Sequence, residues 1–308
     1  MTTIFAVGAF GFLAVKRGLL TPNGVSELAR VLVAFFLPGT LFNAMYSQYS
    51  PDKGPYMIMA VGTQIAFFVG GAVLAFGAHR LLKVQSAVGT VAALSSLQNN
   101  IYLPLPIAMA ILASPAEQAR AQFYIGSFVL AFTPLLWSVG VILLKERRDV
   151  GVPIIKMLGN ALNPPFIAAV AGVIVKHISL KYGWGMPTVA TGILKLCSDA
   201  TVPMAMLVLG GIMAEVKWSH DFEVKAVLTV GIIKLLVIPA AALAFIRFNG
   251  GLDPIFGFVM LLEAASPPAT NISLAARTFG GKTSLIALTL FITYLISMLT
   301  LPLWLAVR

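Results

Sequence analysis

Long stretches without a charged residue recur from one end of the chain to the other. Residues 31–51, 54–78, 84–116, 121–144, 157–175 and 283–307 contain no Asp, Glu, Lys or Arg. A helix needs about 20 apolar residues to cross a hydrocarbon core of about 30 Å. Each stretch reaches or nearly reaches that length, so the pattern predicts an all-α protein that crosses a membrane many times.

Composition supports the same class of protein. The chain of 308 residues is 59% hydrophobic and 10% charged, with a mean hydropathy of +0.93. Ordinary soluble domains carry about 25% charged residues. We therefore predict ten membrane spans, with the first retained rather than cleaved as a signal peptide. They lie near residues 3–18, 27–46, 55–79, 86–112, 119–144, 158–177, 187–213, 223–247, 254–278 and 283–307.

The basic residues are distributed unevenly between the two sides of these spans. Thirteen of the 21 Lys and Arg residues fall at connections that follow odd-numbered spans, and six fall on the other side. Because cytoplasmic loops carry an excess of Lys and Arg, we predict that both termini are extracytoplasmic and that segment 145–148 is cytoplasmic. This asymmetry also explains the net charge of +10 without a nucleic-acid partner.

Several chemical functions lack their sequence signals. The single cysteine, Cys197, excludes an intramolecular disulfide and a multi-cysteine metal site. Neither an H-E-x-x-H motif nor a phosphate-binding G-x-x-x-x-G-K-[ST] loop occurs. We therefore predict no cofactor, no metal and no enzymatic or ATP-driven activity.

Helix-breaking positions repeat at a constant distance. Pro38 in the second span has a counterpart in Pro203 of the seventh, 165 residues later. The polar, proline-containing cluster at 98–106 in the fourth span has a counterpart at 263–273 in the ninth. Five spans in each half would give the halves opposite orientation. We therefore predict two inverted repeats, 1–150 and 151–308, with helix breaks at Pro38 and Pro203 and at both clusters.

The two polar clusters are the candidate substrate site. Unsatisfied backbone groups in hydrocarbon cost several kcal/mol each, so broken helices survive only inside protein or beside a wet cavity. Half-helix N-termini at such breaks present free N–H groups to an anion, and amide and hydroxyl side chains add hydrogen bonds. The alternative is that the prolines only kink the spans. The candidate binding residues are Asn99, Asn100, Pro104, Pro106, Ser266, Pro267, Pro268, Thr270 and Asn271.

Four ionisable residues fall inside predicted spans: Lys195, Asp199, Lys234 and Glu263. Charges within a membrane are expensive and are functional candidates by default. Lys195 and Asp199 are four residues apart and can pair along one helix face. One interpretation is that such pairs only neutralise each other and hold helices together. The other is that Glu263 titrates while Lys234 supplies a fixed positive charge.

Three segments carry a family resemblance. Segment 10–45 reads FGFLAVKRGLLTPNGVSELARVLVAFFLPGTLFNAM, segment 98–106 reads QNNIYLPLP, and segment 265–281 reads ASPPATNISLAARTFGG. In order and spacing they resemble the auxin efflux carrier family, which includes plant PIN carriers and prokaryotic malate or malonate permeases. Asn99, Pro106 and Pro267 match family positions, whereas Asn100 and Pro104 stand where relatives often have small residues.

The resemblance implies a fold and a mode of action. Spans 1, 2, 6 and 7 would form a scaffold, and spans 3, 4, 5, 8, 9 and 10 would form a moving domain in an elevator mechanism. Substrate would bind where the broken spans cross, and two copies would form a homodimer. The short central connection, unlike the long loop of many plant carriers, favours a prokaryotic permease in the plasma membrane.

The sequence thus predicts a secondary transporter of a small organic anion, a mono- or dicarboxylate, surrounded by membrane lipid. Alternatives are a sensor or receptor with a transporter-like fold and a sodium-coupled symporter of bile-acid type. Related bile-acid symporters hold sodium ions with carboxylates and carbonyls behind the crossing. Here Lys234 would replace such an ion beside Glu263, so we expect transport that does not need sodium.

Overall fold

The computed structural model describes residues 2–145, 154–215, 223–279 and 281–308, and these residues form helices and no β-strand. The helices are α1 (Thr2–Lys16), α2 (Pro22–Gln48), α3 (Gly54–Leu82), α4 (Val88–Ser96), α5 (Pro104–Ile111), α6 (Pro115–Leu144), α7 (Ile154–Ala161), α8 (Pro164–Tyr182), α9 (Thr188–Ala214), α10 (Val224–Phe248), α11 (Pro254–Ala264), α12 (Asn271–Phe279) and α13 (Thr283–Ala306).

The predicted class of fold is confirmed. Seven of the described helices, namely α2, α3, α6, α8, α9, α10 and α13, are long and apolar enough to cross a membrane. The predicted fourth and ninth spans are each divided into two shorter helices, α4 with α5 and α11 with α12. The inverted relation between residues 1–150 and 151–308 stays a prediction. The cytoplasmic segment 145–148 lies outside the described residues except for Lys145.

The chain divides into two compact units that each draw on both halves of the sequence. Unit 1 comprises Met1–Val61, Ile101–Leu130 and Leu162–Glu215. Unit 2 comprises Gly62–Asn100, Ala131–Ala161 and Val216–Arg308. Unit 1 contains spans 1, 2, 6 and 7, which the resemblance assigns to a scaffold. It also contains residues 101–130, which that assignment placed in the moving domain.

Packing explains why residues 101–130 belong to unit 1. Tyr102 is buried in an apolar cluster with Leu32 and Leu37 of α2 and with Ala205 and Val208 of α9. Between membrane helices these side chains stabilise the contact by close van der Waals packing, since the surrounding lipid is itself apolar. The short helix α5 also packs on α9 and α1.

Backbone contact between α1 and α9 is the closest packing in unit 1. A Cβ atom added to Gly210 would lie 1.8 Å from the carbonyl oxygen of Gly8. One added to Gly11 would lie 2.2 Å from the carbonyl oxygen of Leu207. Small residues at these positions let the two backbones touch, which is how helices gain dispersion energy in a membrane without a hydrophobic driving force.

The predicted breaks at Pro38 and Pro203 are wrong, because both prolines lie inside continuous helices. In α2 a π-turn over Leu32–Phe36 precedes Pro38, and the N–H of Leu37 donates to the Leu32 carbonyl. Helix α9 runs from Thr188 to Ala214 through Pro203. Proline removes one donor from a helix, and local π adjustments and neighbouring helices compensate for that loss in a packed span.

A carboxylate fixes one end of unit 2. Glu223, which precedes α10, accepts hydrogen bonds from the backbone N–H groups of Gln85 and Ser86 at 2.5 Å and from the Ser86 hydroxyl. Burial raises the pKa of Glu223, but these hydrogen bonds lower it more, and the pKa lies below its usual value. The ionised carboxylate therefore holds the start of α10 to the loop before α4.

We predict that Gly210→Ala lowers the thermal stability of the protein, because the new methyl group must push α1 away from α9. Overpacking of this kind costs about 1–3 kcal/mol. The measurement is the midpoint of thermal unfolding in detergent. Gly192→Ala is the matched control in the same helix, since its Cβ would meet nothing within 4 Å. Equal midpoints for the two variants would contradict the close contact.

Candidate functional site

Two interrupted spans form the candidate site. Helix α4 ends at Ser96 and α5 begins at Pro104, while α11 ends at Ala264 and α12 begins at Asn271. The intervening segments lie within the two predicted polar clusters, so both predicted breaks are confirmed. Residues 91–100 and 255–270 are buried throughout. Their irregular backbone therefore needs partners inside the protein.

The two unwound segments supply those partners to each other. The N–H of Asn99 donates to the carbonyl oxygen of Pro267 at 2.8 Å, and the N–H of Ala269 donates to that of Leu97 at 2.9 Å. Between these bonds Gln98 stands opposite Pro268 in an antiparallel bridge. All of these residues belong to unit 2. The breaks thus form a short two-stranded crossing within the helical fold.

Adjacent prolines explain why α11 stops where it does. Pro267 and Pro268 have no N–H and cannot continue the helix. The two residues before them still donate to carbonyls of α11: the N–H of Ala265 to Leu261 and the N–H of Ser266 to Glu263. The Ser266 hydroxyl donates to the Leu262 carbonyl at 2.8 Å. Ser266 therefore caps the end of α11.

The two half-helix starts differ in the donors that they offer. Among the first three residues of α5, Pro104 and Pro106 have no N–H, and Leu105 donates its own to the Ile101 carbonyl at 3.1 Å. The expectation that both starts present free N–H groups is therefore wrong for these three residues.

Helix α12 begins differently. Its second and third residues, Ile272 and Ser273, donate to the carbonyls of Ala269 and Thr270. Across the described parts of the chain, no acceptor is found for the N–H groups of Thr270 and Asn271. Thr270 is buried and Asn271 is half-buried. These two donors lie at the positive end of the α12 dipole, where an anion is favoured.

Buried amides surround the crossing. The Gln64 side-chain oxygen in α3 accepts from the Gln98 amide at 2.5 Å and from the Asn100 amide at 3.1 Å. The Asn99 side chain donates to the Tyr294 hydroxyl in α13. Asn99 is only 2% exposed. Its amide therefore braces the crossing against α13 in this structure.

Sequence reasoning missed Gln64 and Tyr294. A lone amide in the uncharged stretch 54–78 was a usable signal for Gln64, because a buried amide in a membrane span needs a partner. Nothing distinguishes Tyr294 from the other six tyrosines of the chain. Only the approach of α13 to the crossing identifies it.

Lys234 and Glu263 are completely buried in unit 2. Lys234 lies in a π-turn of α10, Ile233–Val237, and Glu263 lies in the last turn of α11. Within the described residues, neither the ammonium nor either carboxylate oxygen has a hydrogen-bond partner. The two side chains nevertheless lie close enough for the ionisation of one to affect the other. The structure thus places them in one interior without a direct ion pair.

Lys195 and Asp199 form the predicted pair along α9, with 2.7 Å between Nζ and Oδ2. Their side chains are 71% and 60% exposed, and both residues belong to unit 1. This pair lies within one helix and joins no two helices. Pro104 and Pro106 also belong to unit 1, whereas the other candidate binding residues belong to unit 2. No group of three or more His, Cys, Asp or Glu suited to a metal occurs among the described residues.

Paired breaks inside a bundle of apolar helices are typical of membrane transporters. The chain matches the family described as "Membrane transport protein" over residues 1–305. It belongs to this family, which is the auxin efflux carrier type that the sequence resembles. It is therefore an integral membrane transport protein.

Relatives extend this likeness to archaea and plants. An uncharacterized transporter of Methanothermobacter thermautotrophicus is 26% identical over 98% of this chain and 95% of its own length. One of Methanocaldococcus jannaschii is 25% identical over 96% of this chain and 93% of its own length. Protein PIN-LIKES 7 of Arabidopsis thaliana is 28% identical over 48% of this chain and 40% of its own length.

We predict that Asn99→Ala and Tyr294→Phe impair transport to a similar extent, because each removes one partner of the hydrogen bond that braces the crossing. Loss of one such hydrogen bond costs about 0.5–1.5 kcal/mol. The measurement is the initial rate of uptake at matched protein content. If Asn99 instead contacts substrate directly, Asn99→Ala will raise KM while Tyr294→Phe leaves it unchanged.

Proposed function

We propose that the protein is a secondary transporter of a small organic anion that works by alternating access. The observation that carries this proposal is the start of α12 beside the crossing, where no described residue accepts from the N–H groups of Thr270 and Asn271. Family membership supports transport, and the donors support an anionic substrate.

The chemistry of these donors favours a carboxylate. Two neighbouring N–H groups at a helix N-terminus match two oxygens of one carboxylate, and charge-assisted hydrogen bonds of this kind contribute about 1.5–3 kcal/mol each. The donors carry no net charge, so the anion binds without a counter-charge that would trap it. The first three residues of α5 offer no free N–H group, because two are prolines and Leu105 already donates to Ile101. We therefore assign the carboxylate to α12 and not to α5.

We assign the moving role to unit 2 and the scaffold role to unit 1. Unit 2 holds the bonded residues of the crossing, 97–100 and 265–270, together with the amide cluster and the residues Lys234 and Glu263. Hydrogen bonds across the crossing make it one body, as an elevator mechanism needs. If residues 1–150 and 151–308 are inverted repeats, their symmetry would give unit 2 two equivalent positions, one for each state of alternating access.

We further propose a homodimer in the plasma membrane of a prokaryote, with both termini outside. The distribution of basic residues supports the orientation, and the short central connection supports the prokaryotic assignment. The exposed pair Lys195 and Asp199 supports a dimer, because an ion pair facing hydrocarbon is costly and a second copy of α9 could cover it. Lipid would surround the remaining apolar surface.

The experiment that tests the function is uptake of radiolabelled mono- and dicarboxylates into proteoliposomes. Asn271→Pro removes both the N–H and the side chain at the first position of α12, where proline is tolerated. Asn271→Ala removes only the side chain and is the matched control. We predict that Asn271→Pro raises KM about tenfold above Asn271→Ala, the factor expected for one charge-assisted hydrogen bond.

Three results would change this assignment. Equal KM values for the two Asn271 variants would remove the backbone donor from the site. Uptake of cations or neutral solutes without carboxylates would overturn the substrate class. Saturable carboxylate binding without any uptake would favour the sensor alternative.

Coupling is proposed to be independent of sodium. A buried charge without compensation costs several kcal/mol, and among the described residues only Lys234 and Glu263 are fully buried charged side chains, so each depends on the other. The Lys234 ammonium would supply the positive charge that a bound sodium ion supplies in sodium-coupled symporters. A second cation would be repelled at short range.

We predict equal uptake by the wild type in sodium and choline buffers at fixed pH and membrane potential. Lys234→Met leaves Glu263 without a compensating charge, so its uptake should fall steeply in both buffers. Lys181→Met is the control, since it removes an exposed ammonium at the end of a different helix, α8. A strong sodium requirement that persists in Lys234→Met would refute the role of the built-in cation.

A further inference from the structure

Helix α7 was not predicted as a separate helix, and its second half falls within the predicted sixth span, 158–177. The following helix, α8, has 19 residues and is therefore about 29 Å long, which alone matches the hydrocarbon core. The two helices meet at Asn163, whose side chain accepts from the N–H of Phe166 and caps α8. Helix α7 is thus left at the membrane boundary.

The outer face of α7 is apolar and uncovered. Ile154, Ile155 and Leu158 are 71%, 86% and 57% exposed, and Leu162 just beyond the helix is also exposed. At 100° per residue these four side chains share an arc of about 100°. Lys156 lies on the opposite side of the helix.

The other side of α7 contacts the end of α12. The Lys156 ammonium lies 5.4 Å from the centre of the Phe279 ring, and that ring meets the edge of Trp137 at 6.3 Å between centroids. Phe279 is the last residue of α12. One cation–π contact therefore links α7 to the half-helix whose first turn carries the unbonded N–H groups.

We propose that α7 is an interfacial helix that binds anionic phospholipid at the cytoplasmic surface and thereby holds α12 in place. The apolar arc would enter the boundary between headgroups and acyl chains, as amphipathic interfacial helices do. This inference rests on the proposed topology and transport function.

Charge and size favour lipid as the occupant. The charged residues described next to and within α7 are Lys145 and Lys156, and both are basic. Basic residues beside a cytoplasmic surface attract anionic headgroups. An arc of four side chains is far smaller than the roughly 800 Å² per partner that a stable protein interface buries.

Lipid contact is tested first, without reference to transport. A fluorophore is attached to Ile155→Cys or, as control, Asn160→Cys on the opposite side of α7, each in a Cys197→Ser background. The quencher is a phospholipid with a spin label near its headgroup, in vesicles of phosphatidylcholine with or without phosphatidylglycerol. We expect strong quenching at 155 and weak quenching at 160. Equal quenching would overturn the proposal, and cross-linking between copies through position 155 would show a protein interface instead.

The effect on transport is tested with uptake in the same two vesicle types. Wild-type uptake should be faster with phosphatidylglycerol by up to about fivefold, the factor by which one basic residue strengthens binding to an anionic surface. Lys156→Gln should lose this stimulation. Lys181→Gln, which removes a lysine near the other end of α8 that also lies over an aromatic ring, should keep it. Stimulation that persists in Lys156→Gln would overturn the link to α12.

The two tests separate this proposal from the transport proposal. Quenching at 155 without carboxylate uptake would retain the lipid contact and refute the transport function. Reaction of the cysteine at 155 with an impermeant reagent applied outside intact cells would reverse the topology and refute the cytoplasmic site.

Discussion

Satisfaction of backbone hydrogen bonds in a low-dielectric interior is the constraint on which the structure depends. Two spans stop being helical at the same place, and each unwound segment accepts or donates what the other lacks. The bonds from Asn99 to Pro267 and from Ala269 to Leu97 make both breaks tolerable. Neither break would be stable alone in hydrocarbon, so the crossing has to be built from two distant parts of the sequence.

Unit 2 differs from unit 1 in the polar groups that it buries. In both units glycines bring backbones into contact, Gly11 and Gly210 in unit 1 and Gly71 and Gly89 in unit 2, and dispersion across these contacts holds helices together. Unit 2 in addition buries amides and charged residues, with Gln64 accepting from two other amides near the crossing. A polar interior costs stability unless its groups are paired, and that cost is expected where a protein must bind and release a polar solute.

Membership of a transporter family leaves open which part of the crossing meets the substrate. The two half-helices look alike in sequence because each begins beside proline and asparagine. Their donors differ, since Pro104 and Pro106 remove N–H groups from α5 while Thr270 and Asn271 retain theirs next to α12. The position of each proline relative to the helix start, rather than its presence, therefore decides where an anion can be held.

The sequence by itself determined the membrane class and the two breaks, because the need for apolar length and the loss of proline N–H groups are local properties. It also predicted the pair Lys195 and Asp199, whose spacing of four residues is enough. Tertiary structure decided the rest. Pro38 interrupts nothing because a π-turn and neighbouring helices absorb it, and Asn99 bonds Tyr294 because α13 passes the crossing. Such outcomes depend on which distant groups come within hydrogen-bonding distance, and no local pattern carries that information.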